Sequence, residues 1–187
     1  MEYILYRKNT GGGKGMMDTY QKKQLIKEKT DTKVSCAIDN MSWQDCWDIA
    51  DYISQLPQFK DGCEENHLIL LTVINELLEN AFKYSKKEDK LINLELEKQY
   101  NKIEVKTVNK ADKDQAKILQ GFLNGLGKTS IKNMFYKYLG KNYNFMEEFS
   151  QIGLTTLLKD YDCSLDFSIV PKKDICDVVV RADVYVS

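Results

Sequence analysis

The chain has 187 residues, of which 43% are hydrophobic and 29% are charged. This length and composition predict one globular domain, or a domain with a small appendage, and exclude a largely disordered chain. The formal net charge is -1, which argues against nucleic acid or an anionic membrane as the partner.

The cysteines and the N-terminus favour a cytoplasmic protein. Five cysteines are scattered along the chain without C-x-x-C spacing, and an odd number fits reduced thiols better than a disulfide framework. The first residues lack the apolar stretch of a signal peptide, and no apolar run reaches the roughly 18 residues of a membrane span. The single histidine, His67, has no Cys or His at ligand spacing, so we expect no zinc site.

Residues 1–32 are predicted to form an N-terminal segment with a short strand, a flexible glycine-rich stretch and a helix. Tyr3 to Arg7 is the predicted strand, and the glycine run follows it. That run does not fit the phosphate-loop pattern, because Gly15 follows Lys14 where the pattern requires Ser or Thr. We therefore interpret it as a linker or loop.

A strand and two helices are predicted next. Residues 33–39 alternate apolar and polar side chains, which is typical of a half-buried strand. Ser42 has the side chain and position of an N-cap for a helix that runs to about Gln55. A longer helix is predicted from about Glu64 to Ser85, because its apolar side chains recur at helical spacing.

A hairpin and a helical insert follow. Residues 91–97 and 102–108 alternate as two strands joined by a turn at Tyr100 to Lys102. Residues 110–150 are rich in Lys, Asn, Tyr and Phe and predict an insert of helices broken near Gly125 to Gly127 and near Gly140.

The last part of the chain predicts a helix and a second hairpin. Residues 151–161 have a helical pattern with Gly153 near its start, and residues 164–170 and 175–186 alternate as strands. The order of elements predicts an α+β fold for residues 33–187: a two-layer sandwich with a mostly antiparallel sheet covered by helices on one face.

One face of the longer helix carries Glu76, Asn80 and Lys83. At about 100° per residue these three side chains fall within roughly 60° of one another. A carboxylate that polarises water, an amide oxygen that binds Mg²⁺ and a cation near phosphate are the groups that a nucleoside triphosphate site needs.

The alternative interpretation of this stripe is a solvated helix face. Glu79 and Lys83 have the i,i+4 spacing of an ordinary surface ion pair. Asn80 argues against it, because Asn in a helix interior costs on the order of 0.5 kcal/mol relative to Ala and this Asn is not at a cap.

The segment Glu76 to Ser85 resembles the N box of the Bergerat-fold ATPases, E-x-x-x-N-A-x-K-Y-S, and the likeness spans about residues 69–186. This superfamily includes the ATP-binding domains of gyrase, heat-shock chaperones, sensor histidine kinases and mismatch-repair proteins. The resemblance implies ATP and Mg²⁺ as cofactors, with Glu76 activating water or a hydroxyl and Asn80 binding the metal. It also implies that Lys83 and Tyr84 lie at the bound nucleotide.

Residues 150–159 are similar to the family's G-x-G-L-G-L-A-I-V-K box, although Gly153 is the only glycine retained. The resemblance implies that Gly153 and Leu154 contact the nucleotide where a helix N-terminus faces the phosphates. A single glycine before an apolar helix is otherwise typical of packing or of a cap.

The adenine-binding box departs from the family. Where the family has D-x-G-x-G, this chain has Val108 to Asp112 with Asn109 in place of the aspartate. The Asn109 carbonyl oxygen would still accept a hydrogen bond from the adenine amino group, but without the charge.

A narrower resemblance is to the stand-alone bacterial regulators of partner switching. It implies an ATP/Mg²⁺-dependent serine/threonine protein kinase or anti-sigma-type switch that acts on a small regulatory protein, either a phosphoacceptor or an antagonist, and it leaves a homodimer open. No phosphoacceptor histidine motif surrounds His67, which argues against an autophosphorylating sensor kinase.

The alternative function is an interaction module that retains the sandwich but neither hydrolyses nor transfers nucleotide. The missing D-x-G-x-G box favours this second hypothesis. Aromatic residues of the insert would then bind a partner, unless they form the insert's own core: Phe122, Phe135, Tyr136, Tyr138, Tyr143, Phe145 and Phe149. A third class, nucleic-acid binding, requires a basic face that the charge balance does not indicate.

Overall fold

The computed structural model describes residues 26–29, 32–60, 63–86, 88–126, 145–161 and 163–186. These residues form six strands and four helices. The strands are β1 (Ile26–Lys29), β2 (Lys33–Ile38), β3 (Ile92–Gln99), β4 (Lys102–Asp112), β5 (Cys163–Pro171) and β6 (Ile175–Tyr185). The helices are α1 (Trp43–Ser54), α2 (Glu64–Tyr84), α3 (Lys113–Leu126) and α4 (Phe145–Asp160).

The six strands form one sheet in the order β1-β2-β3-β4-β6-β5. Every neighbouring pair is antiparallel. Side chains along β3, β4 and β6 alternate between buried and partly exposed, so one face of the sheet is covered. Helix α2 packs over β3, β4 and β6, and α4 contacts β5. The predicted α+β sandwich with a mostly antiparallel sheet and helices on one face is confirmed.

The two faces of the sheet differ in chemistry because side chains alternate along a strand. On the covered face, Leu96, Val105 and Ala182 lie side by side in register on three strands and are fully buried. On the other face, Glu95 pairs with Lys106 at 3.0 Å and Arg181 with Asp166 at 3.4 Å. Such partly exposed ion pairs add little stability, so burial on the helix side holds the layers together.

Helix α1 begins with a capping box. The backbone N–H and the hydroxyl of Ser42 both donate to Asp45 Oδ2, at 2.6 and 2.7 Å. A carboxylate here satisfies an otherwise unpaired donor and lies favourably at the positive end of the helix. The predicted N-cap at Ser42 is confirmed, and α1 starts at a fixed position.

Helix α2 is attached to the sheet beyond its C-terminal end. The Lys86 backbone N–H donates to the carbonyl oxygen of Lys110 in β4 at 2.7 Å. The Lys110 ammonium in turn bonds to Asp89 Oδ2 at 2.6 Å. These two contacts fix the end of the helix that carries the polar stripe.

Two strands, β1 and β4, differ from the sequence-based expectations. Strand β1 was not predicted, and it pairs with β2 at the edge of the sheet. Strand β4 continues to Asp112, four residues beyond the predicted end. The prediction stopped early because Asn109 and Lys110 are both polar and hide the alternation that Thr107 and Ala111 continue.

Helix α4 begins at Phe145, six residues before the predicted start. Helix α3 ends at Leu126, within the predicted break at Gly125 to Gly127. The predicted strand at Tyr3 to Arg7, the glycine run and the predicted break near Gly140 lie outside the described residues. So do the aromatic residues of the insert from Phe135 to Tyr143.

Substituting Asp45 tests the capping box. We expect Asp45→Ala to lower the free energy of unfolding by about 1 kcal/mol, because the Ser42 N–H loses its acceptor at a helix N-terminus. Chemical denaturation measures this change. Gln44→Ala, at the exposed neighbouring position, is the control and should change stability by less than about 0.5 kcal/mol; an equal loss in both variants would contradict the assignment.

Candidate functional site

Glu76, Asn80 and Lys83 lie along one side of α2, as their spacing predicts. They are not equally exposed: Asn80 is buried at 4% exposure, whereas Glu76 and Lys83 are partly buried. A solvated helix face would leave the central Asn in water. The solvated-face interpretation is therefore wrong for Asn80.

Asn80 has one satisfied and one unsatisfied polar atom. Its Nδ2 donates to the Glu76 carbonyl oxygen, one turn earlier, at 2.6 Å. Its Oδ1 is buried and has no hydrogen-bond partner among the described residues. Leaving a buried acceptor unpaired costs roughly 1–3 kcal/mol, so this amide oxygen is suited to a cation or to an N–H donor from outside the chain.

Glu76 carries a carboxyl group that titrates near neutrality. Burial, and to a smaller extent the nearby Glu79 carboxylate, together raise its pKa to about 7 from the ordinary value of 4.5. A carboxyl group with a pKa near the operating pH can both accept and return a proton. This is the property that a general base at this position requires.

Glu79 belongs to the same polar region, although its i,i+4 spacing to Lys83 predicts an ordinary surface ion pair. It is partly buried and accepts a hydrogen bond from Asn75 Nδ2 at 2.9 Å. Burial raises its pKa, and the Asn75 bond opposes that rise. The i,i+4 spacing of Asn75 and Glu79 was the available signal.

Glu79 also influences Cys46 of α1. Burial is the main cause that raises the pKa of the Cys46 thiol to about 12, and the Glu79 carboxylate is the next largest. This thiol therefore stays protonated and unreactive.

Gly153 lies directly against Glu76. A Cβ built at Gly153 would overlap the Glu76 carboxylate and approach its Oε1 to 2.9 Å. The structure therefore brings together the two sequence segments that resemble the family's boxes. The expected helix N-terminus at this point is wrong, because α4 begins at Phe145 and Gly153 is inside the helix, where its N–H is not one of the four unpaired terminal donors.

The other predicted residues have separate environments. Leu154 and Tyr84 are buried in the hydrophobic core. The Lys83 ammonium lies 5.4 Å from the centroid of the Tyr84 ring, a distance typical of a cation–π contact. Nucleotide contacts by Lys83, Tyr84 and Leu154 stay predictions.

Asn109 faces the helical layer from β4 and is only 2% exposed. Its Nδ2 has no hydrogen-bond partner among the described residues, and neither has Oγ1 of Thr107, two positions earlier on the same face. Thr107 was missed because the sequence indicated only its aliphatic stem. Asn109 adjoins Lys110, which bonds the segment after α2, so these two unsatisfied groups lie on the strand that anchors that end of the helix.

The described residues contain no group of three or more His, Cys, Asp or Glu side chains arranged to hold a metal ion. None of the four helices has the length and hydrophobicity of a membrane-spanning segment.

Comparison with known proteins shows a likeness to a solved structure. No protein-family model matches the chain, and no curated protein matches it. The chain is similar to a chain in the crystal structure of the SiaB-SiaC complex from Pseudomonas aeruginosa, with a TM-score of 0.59 and 12% sequence identity. The match covers 91% of this chain and 100% of that one. At this identity the likeness shows a shared fold, and the resemblance to the Bergerat-fold ATPases stays a prediction.

Replacing Gly153 tests its contact with Glu76. Gly153→Ala should gain about 1 kcal/mol of helix propensity, but the Glu76 carboxylate must move aside for the new methyl group. In a Glu76→Ala background that obstacle is absent, so the same change should be more favourable, with a coupling energy of roughly 0.5–3 kcal/mol. Chemical denaturation of the four variants measures the coupling.

Gly121 provides the matched control, because nothing lies within 4 Å of a Cβ built there. Gly121→Ala should stabilise the protein equally in both backgrounds. Equal effects of Gly153→Ala in the two backgrounds would show that the two residues do not touch.

The raised pKa of Glu76 predicts a pH-dependent stability difference. Between about pH 4.5 and pH 7 the folded protein holds a proton on Glu76 that the unfolded chain releases, so this group lowers the free energy of unfolding as pH rises. The free energy of unfolding of Glu76→Gln, relative to that of the wild type, should therefore increase by on the order of 3 kcal/mol across this interval. Urea denaturation at several pH values measures it, and a constant difference would mean that Glu76 titrates normally.

Proposed function

We propose that this protein is a regulator of the partner-switching type that binds a small protein partner and depends on ATP and Mg²⁺. It would act as a serine/threonine protein kinase or as an ATP-binding anti-sigma-like switch. The observation that carries the proposal is the unpaired, buried amide oxygen of Asn80, one turn after Glu76 on α2.

The residues at this point fit a magnesium nucleotide. An amide oxygen and a carboxylate are hard oxygen ligands of the kind that Mg²⁺ prefers, and Mg²⁺ usually takes only one or two such protein ligands beside phosphates and water. Asn80 would hold the metal, and Lys83 on the same helix face would add positive charge near the phosphates. The bound nucleotide would supply the phosphoryl group.

Glu76 would handle the proton of the acceptor. Its pKa near 7 suits the removal of a proton from a serine or threonine hydroxyl of the partner as that oxygen becomes phosphorylated. The proton would pass to the Glu76 carboxylate and later to water. Burial between α2 and α4 limits the access of water, which supports transfer to a protein hydroxyl.

A protein partner is supported by the comparison. The similar structure is that of a complex of two proteins, SiaB and SiaC. The shared fold makes a complex with a small regulatory protein the natural proposal for this chain.

A second candidate function is a nucleotide-free interaction module. It is favoured by the Glu76 carboxylate itself, which occupies the space beside Gly153, and by the position of Gly153 inside α4. Under this proposal Glu76 is a packing group and Asn80 is a buried residue that tolerates an unpaired oxygen.

Calorimetry with ATP separates the two proposals. We expect the wild type to bind ATP more tightly with Mg²⁺ than without it, and Asn80→Ala to weaken the magnesium-dependent binding at least about tenfold, since a charge-assisted contact of roughly 1.5–3 kcal/mol is lost. Asn124→Ala, on the exposed surface of α3, is the control and should bind as the wild type does. Absence of binding by the wild type in both conditions would leave the interaction module.

Glu76→Gln tests the chemistry separately from binding. We expect it to retain ATP binding and to lower phosphoryl transfer by roughly 10²- to 10⁴-fold, because glutamine cannot accept the hydroxyl proton. Transfer of radiolabelled phosphate to a small regulator encoded beside this chain measures the effect. Glu97→Gln, on β3, should leave transfer unchanged, and full activity of Glu76→Gln would exclude the proposed role.

A further inference from the structure

The two edges of the sheet differ in how they are protected against pairing with a further strand. Strand β1, at one edge, has four residues that are mostly charged, and its register with β2 shifts between Ile26 and Glu28. A short, charged and irregular strand discourages further pairing. Strand β5, at the other edge, has nine residues and pairs with β6 in an unbroken register.

Residues 164–170 of β5 form an open edge in the part of the chain that the structure describes. The described sheet has no strand beyond β5, and among the described residues no backbone group of this segment bonds outside the sheet. Asp166 is the one charged residue of the segment, and its carboxylate lies 3.4 Å from the Arg181 guanidinium on β6. Pro171 comes after the segment, so it removes no donor from this edge.

The covered face of this edge is apolar and incompletely buried. Leu165, Phe167 and Ile169 pack against the core but stay partly exposed. Their register partners on β6 are all buried, namely Ala182, Val180 and Val178. A strand added beside β5 would remove the outer sides of these three side chains from water, which is favourable.

We propose that the β5 edge, residues 164–170, is the surface through which two copies of this chain associate. The two β5 strands would pair antiparallel about a two-fold axis that passes through Phe167 perpendicular to the sheet. Such an axis keeps the covered faces of both copies on the same side, so the two six-stranded sheets become one continuous sheet. This association needs neither a nucleotide nor the regulated partner, so it stands or falls apart from the proposed function.

The sequence of β5 matches itself in this register. Phe167 would lie opposite its own copy, and Leu165 opposite Ile169 of the second copy, so an apolar row would continue across the covered face. On the open face Asp166 would lie opposite Ser168, whose hydroxyl can donate to the carboxylate. The two Asp166 side chains would be diagonal neighbours about 7–8 Å apart, each beside its own Arg181.

Other registers are less favourable. An axis through Asp166 would set two Asp166 carboxylates directly opposite each other, and like charges in that position destabilise a strand pair. An axis through Ser168 would set Asp166 against Val170, which offers no side-chain donor. Axes through Leu165 or Ile169 are away from the middle of β5 and would shorten the paired segment. Because identical surfaces that meet about a two-fold axis are the commonest assembly of soluble proteins, this self-matching strand indicates a second copy as the occupant.

Sedimentation velocity of the full-length chain measures the association. We expect the sedimenting mass to rise from that of one chain to that of two chains as the protein concentration increases from about 1 μM to about 1 mM. The mass of one chain at every concentration would overturn the proposal, including the case in which the edge takes a strand from a different protein.

A charge placed at Ser168 tests the register. Ser168→Asp puts a carboxylate opposite Asp166 of the second copy at two symmetric positions, so the dissociation constant of the dimer should rise roughly fivefold or more. Ser168→Lys puts an ammonium there and should not weaken the dimer. Ser164→Asp is the matched control, because it lies on the same face of β5 opposite Val170 and should have a smaller effect. A dimer that Ser168→Asp leaves unchanged would form through another surface and would overturn the proposal.

Cysteine cross-linking tests the same register without a change of charge at Ser168. In a Cys63→Ser background, which removes the exposed native thiol, Asp166→Cys mixed with Ser168→Cys should give a disulfide-linked dimer on mild oxidation, because directly opposite positions lie within disulfide range. Each variant alone should give far less, since its cysteine meets its own copy only diagonally. Equal yields from the mixture and from either variant alone would contradict this register and the proposal with it.

Hydrogen exchange separates an open edge from one that another segment of the same chain covers. At concentrations where one chain sediments, the β5 amides that point away from β6 should exchange quickly, and they should become protected where two chains sediment. Full protection of β5 in the single chain would mean that the chain covers its own edge, and the proposal would be wrong.

Discussion

The contact between the backbone of α4 at Gly153 and the Glu76 side chain on α2 is the constraint on which the candidate site depends. It sets the separation of two helices and removes the Glu76 carboxyl group from bulk water. A carboxyl group in such a place is costly to ionise. The Glu76 side chain can therefore gain and lose a proton near neutral pH, whereas an exposed glutamate would be an anion there.

Much of the fold could be predicted because local patterns and long-range packing agree. The capping residue Ser42 and the apolar repeat of α2 give helix boundaries within about a residue of those observed. Strand β1 escaped prediction because its four residues, Ile26–Lys29, contain one apolar side chain. Only its pairing with β2 identifies it, and such pairing is a tertiary contact.

The site was predictable in its residue types but not in its geometry. Spacing placed Glu76 and Asn80 on one helix face, yet it could not show that Asn80 is buried or that Glu79 bonds to Asn75. The resemblance placed Gly153 at a helix start, whereas the helix extends eight residues further towards the N-terminus. These differences arise because burial and helix length are decided by neighbours that the local sequence does not contain.

The two ends of the polar stripe are restrained unequally. Beyond its C-terminal end, α2 is tied to β4 through the Lys86 and Lys110 backbones and through Asp89, whereas near Glu76 it meets α4 by close packing. The C-terminal end of α2 is therefore restrained by hydrogen bonds to the sheet, whereas near Glu76 the helix is restrained by packing alone. Any opening at Glu76 would displace α4 or move the Glu76 side chain, while the C-terminal end of α2 stays attached to β4.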